Sequence, residues 1–349
     1  MKTPAFWYRP PGPAATALAP LGALYGLAGR RRMAATIPYR AGVPVVCIGN
    51  LVAGGAGKTP VGLAVAAALR ARDLAVQALT RGHGGREQGP LRVDPQTHGV
   101  VDVGDEALLL AAAVPCWVAR DRAAGARAAV ADGAQILVMD DGFQNPGLFK
   151  DRSLIVADGA VGFGNGRLIP AGPLRERIAD GLRRADALVI VGEDLAGVAA
   201  QARACTPDLP VLQARLEPSA TAADLAGRRI LAFAGIGRPE KFFATLQTLG
   251  AELVARISFA DHHPYRPAEV AALLDRAAAL GALPVTTAKD AVRLTPDQRA
   301  RIRVLPVAVA WRDPAALDRL LDPMLGPMPG RRPPPPVPSP KEGPHGEAT

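Results

Sequence analysis

Cysteine is scarce: Cys47, Cys116 and Cys205 are the whole complement of 349 residues. They are scattered and odd in number, so neither a disulfide framework nor a metal-binding spacing emerges, which fits a reducing compartment. Aromatic residues make up only 4% of the chain. No run of Lys and Arg is interleaved with them, so no nucleic-acid partner is expected. No apolar run reaches the roughly 20 residues needed to cross a bilayer. The longest candidate, "AATALAPLGALYGLAG" from Ala14 to Gly29, falls short and is interrupted by Pro20. Its main positive cluster, Arg30-Arg31-Arg32, comes after the apolar run, the reverse of a cleaved signal peptide. Internal repeats are absent, and nothing in the sequence demands an obligate protein partner.

What is present begins with charge. A formal balance of +9 calls for a nucleic acid, an anionic membrane or an anionic substrate, and the first has just been set aside. Trp7 and Tyr8 precede the N-terminal apolar stretch, Tyr25 falls near its end, and the three arginines close it. Aromatic and cationic residues around a short apolar helix suit an amphipathic segment, residues 1–34, lying among lipid headgroups. A helix packed on its own domain stays open as the alternative.

Beyond Pro38 the pattern becomes strand–helix alternation. Apolar runs at Val43–Gly49, Ala75–Thr80, Val114–Ala119, Ile136–Asp140, Leu154–Ala157 and Ala187–Val191 are separated in part by helical stretches such as Pro60–Arg70, Asp121–Ala131 and Pro173–Arg184. Continuous apolar strands between helices predict an α/β fold, a parallel sheet covered by helices on both faces. A second series begins near Arg229 with "RILAFAGIG" and ends in the strand "RVLPVAVA". The length suits two domains: a larger one over 35–215 and a smaller α/β domain over 216–328 that closes over the site. Residues 329–349, proline-rich and polar, are expected to be a disordered tail.

One stretch carries the first chemistry. "VVCIGNLVAGGAGKTPVGLAVAAAL" (Val45–Leu69) reads as a buried strand, a glycine-rich loop and a helix. That arrangement aims backbone N–H groups and the helix dipole at one point. Gly54, Gly55, Ala56 and Gly57 form the cradle, Lys58 adds a point charge, and Thr59 offers a hydroxyl to Mg²⁺. The strict phosphate-loop spacing would place a glycine where Val52 stands; its loss relaxes the pattern and leaves the cradle. A nucleotide of the ATP type with Mg²⁺ is therefore expected, on a P-loop NTPase-like sheet.

Such a loop needs an acid at the end of a neighbouring strand. "ILVMDDGFQN" supplies Asp140 and Asp141 at the close of an apolar run, where open parallel sheets bind ligands. "VGDEALLLAA" places Asp105 and Glu106 at a loop–helix junction; on spacing alone, helix capping accounts for both. "SFADHHPY" puts His262 and His263 after a strand of the second series, and "GPLRE" carries Arg175.

Taken together, "GNLVAGGAGKTP", "TRGHGG", "VGDEALLLA", "DDGFQ", "GPLRE", "RADALVIVG", "AFAGIGRPEKFF", "FADHHPY" and "TTAKDAVRL" resemble, in order, the tetraacyldisaccharide 4′-kinases of lipid A biosynthesis. The resemblance covers residues 40 to 310. It implies transfer of the γ-phosphate of ATP to the 4′-hydroxyl of an acylated glucosamine disaccharide 1-phosphate, at the cytoplasmic face of the inner membrane of a Gram-negative bacterium. It further implies that Lys58 contacts the β- and γ-phosphates. Thr59 with one or more of Glu106, Asp140 and Asp141 would organise Mg²⁺. Asp105 would be the base at the acceptor hydroxyl, His262 would cross from the second domain to tune it, and Arg175 would help with phosphate or substrate charge. The rival reading is a partitioning or metal-chaperone ATPase switch, but those proteins carry a signature lysine where this chain has Ala53.

Overall fold

The computed structural model describes residues 4–325; the expected tail at 329–349 lies outside the described residues. Its strands are β1 (Val45–Gly49), β2 (Val76–Thr80), β3 (Leu91–Arg92), β4 (Cys116–Val118), β5 (Ile136–Asp140), β6 (Arg152–Asp158), β7 (Ala187–Val191), β8 (Val211–Pro218), β9 (Arg229–Ala234), β10 (Glu252–Ser258), β11 (Leu283–Thr287), β12 (Arg303–Leu305) and β13 (Val307–Trp311). They form two sheets, in the orders β13-β8-β7-β6-β1-β5-β2-β4-β3 and β10-β9-β11-β12.

The large sheet is parallel from β8 through β4, and only its edges, β13 and β3, run antiparallel. All five residues of β1 are buried, and alternate ones feed opposite faces: Val46 and Ile48 join one core, Val45 and Cys47 the other. A strand covered on both sides has no need of polar alternation, which is why it reads as one apolar run. Helix Lys58–Arg70 turns Val61, Val65 and Leu69 inward, a spacing of four that stacks one stripe on the sheet. The small sheet repeats the scheme with Ile230 and Ala232 on one face and Leu231 and Phe233 on the other.

Three boundaries differ from the sequence reading. The run "RVLPVAVA" is two strands, because Pro306 has no N–H to continue a ladder: β12 stays in the small sheet, and β13 pairs with β8 of the large one. Helix Pro314–Leu321 then packs Leu317 and Leu321 into the large core. The chain therefore leaves the large sheet after Pro218 and returns at Val307, so the small-sheet lobe is an insertion rather than a terminal unit reaching 328. The expected helix Pro173–Arg184 is helical only over Ile178–Leu182. Its first residues form a bent segment bonded to the glycine-rich loop, with Ala53 N–H donating to the Pro173 carbonyl at 2.8 Å and Arg175 N–H to that of Leu51 at 2.7 Å.

The N-terminal helix spans Pro13–Ala35 and contains Pro20. It buries small residues, Ala15 and Gly22. A Cβ on Gly22 would stand 3.0 Å from the Leu168 carbonyl oxygen, so the close approach needs glycine. Leu21, Leu24 and Tyr25 are exposed, the two leucines at 54% and 63%. No helix among the described residues is long and apolar enough to cross a membrane.

Candidate active site

β1 delivers the chain to the loop Asn50–Gly57 at the carboxyl edge of the large sheet, and Gly54 (φ 121°) and Gly57 (φ 84°) take conformations that disfavour a side chain. Gly57 caps the helix that starts at Lys58, so the first amides of a 13-residue helix face the loop's hollow. Lys58 is buried, with Nζ 3.6 Å from Asp141 Oδ1. The residues expected to form a cradle, Gly54, Gly55, Ala56, Gly57, Lys58 and Thr59, lie together in this loop and the first turn of that helix.

The adjacent acids part company. Asp140 ends β5 fully buried; its Oδ1 has no hydrogen-bond partner, and Thr59 Oγ1 lies 3.5 Å from its Oδ2. Burial, with Glu106 and Asp141 nearby, pushes its carboxyl up to about 7 despite Lys58. Asp141 adopts φ 48°, a left-handed geometry that aspartate tolerates. That turn sends its carboxylate to Arg175 Nη1 (2.7 Å) and Lys58. Burial alone would raise Asp141; the two cations outweigh it and hold it down to about 2.

The acids at the loop–helix junction also divide. Gly104 (φ 83°), not Asp105, caps helix Asp105–Ala111, and a Cβ at that position would collide with the His83 carbonyl. Asp105 is thereby freed from capping. It is only 2% exposed; its Oδ1 accepts the Glu106 N–H at 2.9 Å, and its Oδ2 takes His262 Nδ1 at 2.8 Å and Arg293 Nε at 3.1 Å. Burial opposes the charge, but His262, Lys289 and Arg293 together hold the carboxyl far below its usual range. His262, in a left-handed turn (φ 59°), also sets Nε2 3.1 Å from Lys289 Nζ. Donating from Nδ1 while accepting at Nε2 fits the Nδ1–H tautomer.

These groups open into one cleft of about 2200 Å³ between the sheets, which Lys58, Glu106, Asp141, Arg175 and His262 line. Asp105 and Asp140 do not: Asp105 stands behind His262, and Asp140 is fully buried beside Thr59. The N-terminal helix is a further wall, through residues from Ala23 to Ala34, and Arg32 Nη2 donates to the Gln144 carbonyl at 3.3 Å.

Mg²⁺ takes few protein ligands, often one or two carboxylates, and keeps several waters. Asp140, with an orphaned oxygen, Thr59 beside it and Glu106 close enough to raise its proton affinity, suits such an ion. Asp141, engaged by two cations, suits it less. Among the described residues no group of three or more His, Cys, Asp or Glu is placed to hold a metal, which this kind of site does not require.

Sequence reasoning missed Arg293, although "TTAKDAVRL" contains it. Its guanidinium bonds Asp105, Asp290 Oδ1 (3.0 Å) and the Gly235 carbonyl (2.8 Å), and its side chain is as buried as that of Asp105. A lone Arg in a helical stretch reads as surface charge, and its partner lies 188 positions away. Arg81, Arg120 and Arg122, which line the cleft, and the small-lobe cations Arg238 and Lys241 were missed likewise.

Comparison with known proteins identifies the family. The family model described as Tetraacyldisaccharide-1-P 4′-kinase matches residues 14–326. The Tetraacyldisaccharide 4′-kinase of Rhodospirillum centenum is 61% identical over 326 residues, 92% of this chain and 96% of that protein. Its counterpart in Rhodospirillum rubrum is 56% identical over 92% and 97%. The crystal structure of LpxK from Aquifex aeolicus in complex with ATP superposes with a TM-score of 0.69 at 26% identity, covering 89% of this chain and 99% of that one. The chain belongs to the tetraacyldisaccharide-1-P 4′-kinase family.

Proposed function

We propose that this chain phosphorylates the 4′-hydroxyl of a tetraacyldisaccharide 1-phosphate with ATP, at the cytoplasmic surface of the inner membrane. The observation that carries the reading is the shared cleft: the glycine-rich loop, His262 backed from the other lobe by Asp105, and a helix with outward leucines all meet at one space. Phosphoryl transfer needs positioning and charge neutralisation more than covalent catalysis. The amides of Gly54–Thr59 and the Lys58 ammonium receive the phosphates. Asp140, Thr59 and Glu106 would hold Mg²⁺, which would supply charge neutralisation there. Asp141 keeps Lys58 and Arg175 in place beside it.

At the acceptor, His262 faces the cleft and Asp105 orients it. A carboxylate clamped by Arg293 is a weak proton acceptor, so the imidazole is the better partner for the sugar hydroxyl, with Asp105 steadying the cation that forms. The acceptor's acyl chains stay in the bilayer, since each buried CH₂ is worth about 0.8 kcal/mol. The N-terminal helix meets them there: its leucines point away from the protein, the reverse of a helix that packs on its own core, and Arg30–Arg32 favour an anionic surface.

Purified protein, labelled ATP and the disaccharide 1-phosphate in mixed micelles provide the test. The label should appear at the 4′ position; ATP turnover that leaves the lipid unlabelled would overturn the proposal.

A further inference from the structure

Asp158 closes β6, the strand paired with β1 on the side away from Asp140. Its side chain is more than nine-tenths buried, and two cations of the small-sheet lobe converge on a single oxygen: Arg238 Nη1 at 2.9 Å and Lys241 Nζ at 2.6 Å from Oδ2. Oδ1 accepts the Ala160 N–H at 3.0 Å. Both cations remain nearly half exposed, and they line the cleft together with Gly55, Gly57 and Lys58. Their backbone lies over the loop, since a Cβ on Gly237 would stand 4.0 Å from the Gly55 nitrogen. One carboxylate balances one charge, so this cluster sets surplus positive charge beside a loop whose amides already favour anions.

We infer that Arg238 and Lys241 are phosphate-binding residues supplied by the small-sheet lobe, and that Asp158 is the counter-ion they exchange for a nucleoside triphosphate. This rests on reading Gly54–Thr59 as a triphosphate cradle. Asp158 and the triphosphate compete for the same donors, which gives the two halves of the cluster opposite signs. A mere inter-lobe latch gives every member the same sign.

The test measures ATP and adenosine binding to the full chain in detergent by calorimetry. Lys241→Met and Arg238→Gln should each weaken ATP by about 10- to 100-fold, the worth of a hydrogen bond to a charged group, while leaving adenosine within about twofold. Asp158→Asn should bind ATP at least as tightly as the unaltered chain. Weaker ATP binding by Asp158→Asn, or a parallel loss of adenosine affinity in the two cation variants, overturns the inference. If Asp158→Asn does not fold, as read by thermal unfolding, the ATP–adenosine contrast in the other two decides. The lipid acceptor takes no part, so failed lipid phosphorylation would defeat the proposed function and leave this comparison standing. Absence of ATP binding by the unaltered chain would defeat both.

Discussion

The floor and the roof of the cleft are built on different principles. The floor, at the carboxyl edge of the large sheet, consists of backbone amides, glycines in left-handed geometry and acids fixed at strand ends. The roof, on the small-sheet lobe, consists of side chains: His262, Arg293, Arg238 and Lys241 reach across to Asp105 and Asp158, with Lys289 behind His262. These contacts cross from one lobe to the other, so the geometry at Asp105 and Asp158 depends on where the small-sheet lobe sits. The floor has no such dependence. Its glycine-rich loop belongs to a continuous stretch of chain anchored in the large core.

The comparison is broken most directly at Lys58. It lines the cleft beside the glycine-rich loop, and its partner Asp141 keeps Arg175 when Lys58 is removed. Lys58→Met should therefore cut kcat by about 10²–10³-fold, the range for losing one preorganised charge donor. The urea midpoint should stay close to that of the unaltered protein. A large fall in stability would show that the floor, too, is held together by its charges.

The contrast also explains what the sequence disclosed. The floor was legible because it is local: strand, glycines, Lys58 and Thr59 lie within some twenty residues, and the buried strands announce themselves as unbroken apolar runs. The roof was legible only through resemblance. "DHH" has no meaning without Asp105 opposite it, and Arg293 looks like solvent-facing charge until two buried carboxylates are placed around it. The split of Asp140 from Asp141 was invisible because it depends on a left-handed φ at the second aspartate. The return of β13 to the large sheet was hidden by a single proline inside a plausible strand.

At the roof the expected dissociation reverses. Arg293→Gln removes the cation shared by the buried carboxylates Asp105 and Asp290, leaving them only their other hydrogen bonds, and breaking such a pair from one side costs about 3–5 kcal/mol. The urea midpoint should fall accordingly. Arg293→Lys should recover only part of it, because an ammonium lacks the fork that serves two carboxylates and a carbonyl together. Equal stability of both variants with the unaltered chain would remove the case for a roof locked by charge.

The N-terminal wall obeys neither rule, since it buries glycine and alanine and displays leucine. Replacing Leu21 and Leu24 by Ser leaves the Gly22 contact with Leu168 untouched, which deletion of residues 1–34 would not. Each leucine buried in lipid is worth about 1.5–3 kcal/mol. The double variant should therefore lose on the order of 100-fold or more in partitioning onto anionic vesicles, while its ATP affinity stays unchanged. Unaltered partitioning would mean that the outward leucines meet something other than lipid.

The smallest effect concerns the floor's own ion pair. Asp141 is held down to about 2, against an ordinary value of 3.8. Its ionised form therefore stabilises the fold fully above about pH 4, and that contribution is lost as pH falls through 4 towards 2. In Lys58→Met the carboxylate retains Arg175 alone, so its affinity for protons rises and the loss begins at higher pH. The change amounts to roughly 1 kcal/mol for a partly exposed pair. Acid unfolding followed by circular dichroism should show a midpoint displaced upward in Lys58→Met and still further in Lys58→Met combined with Arg175→Met. Coincident acid transitions in all three proteins would mean that Asp141 owes its low proton affinity to backbone amides rather than to the cations, and the floor would then be a purely main-chain construction.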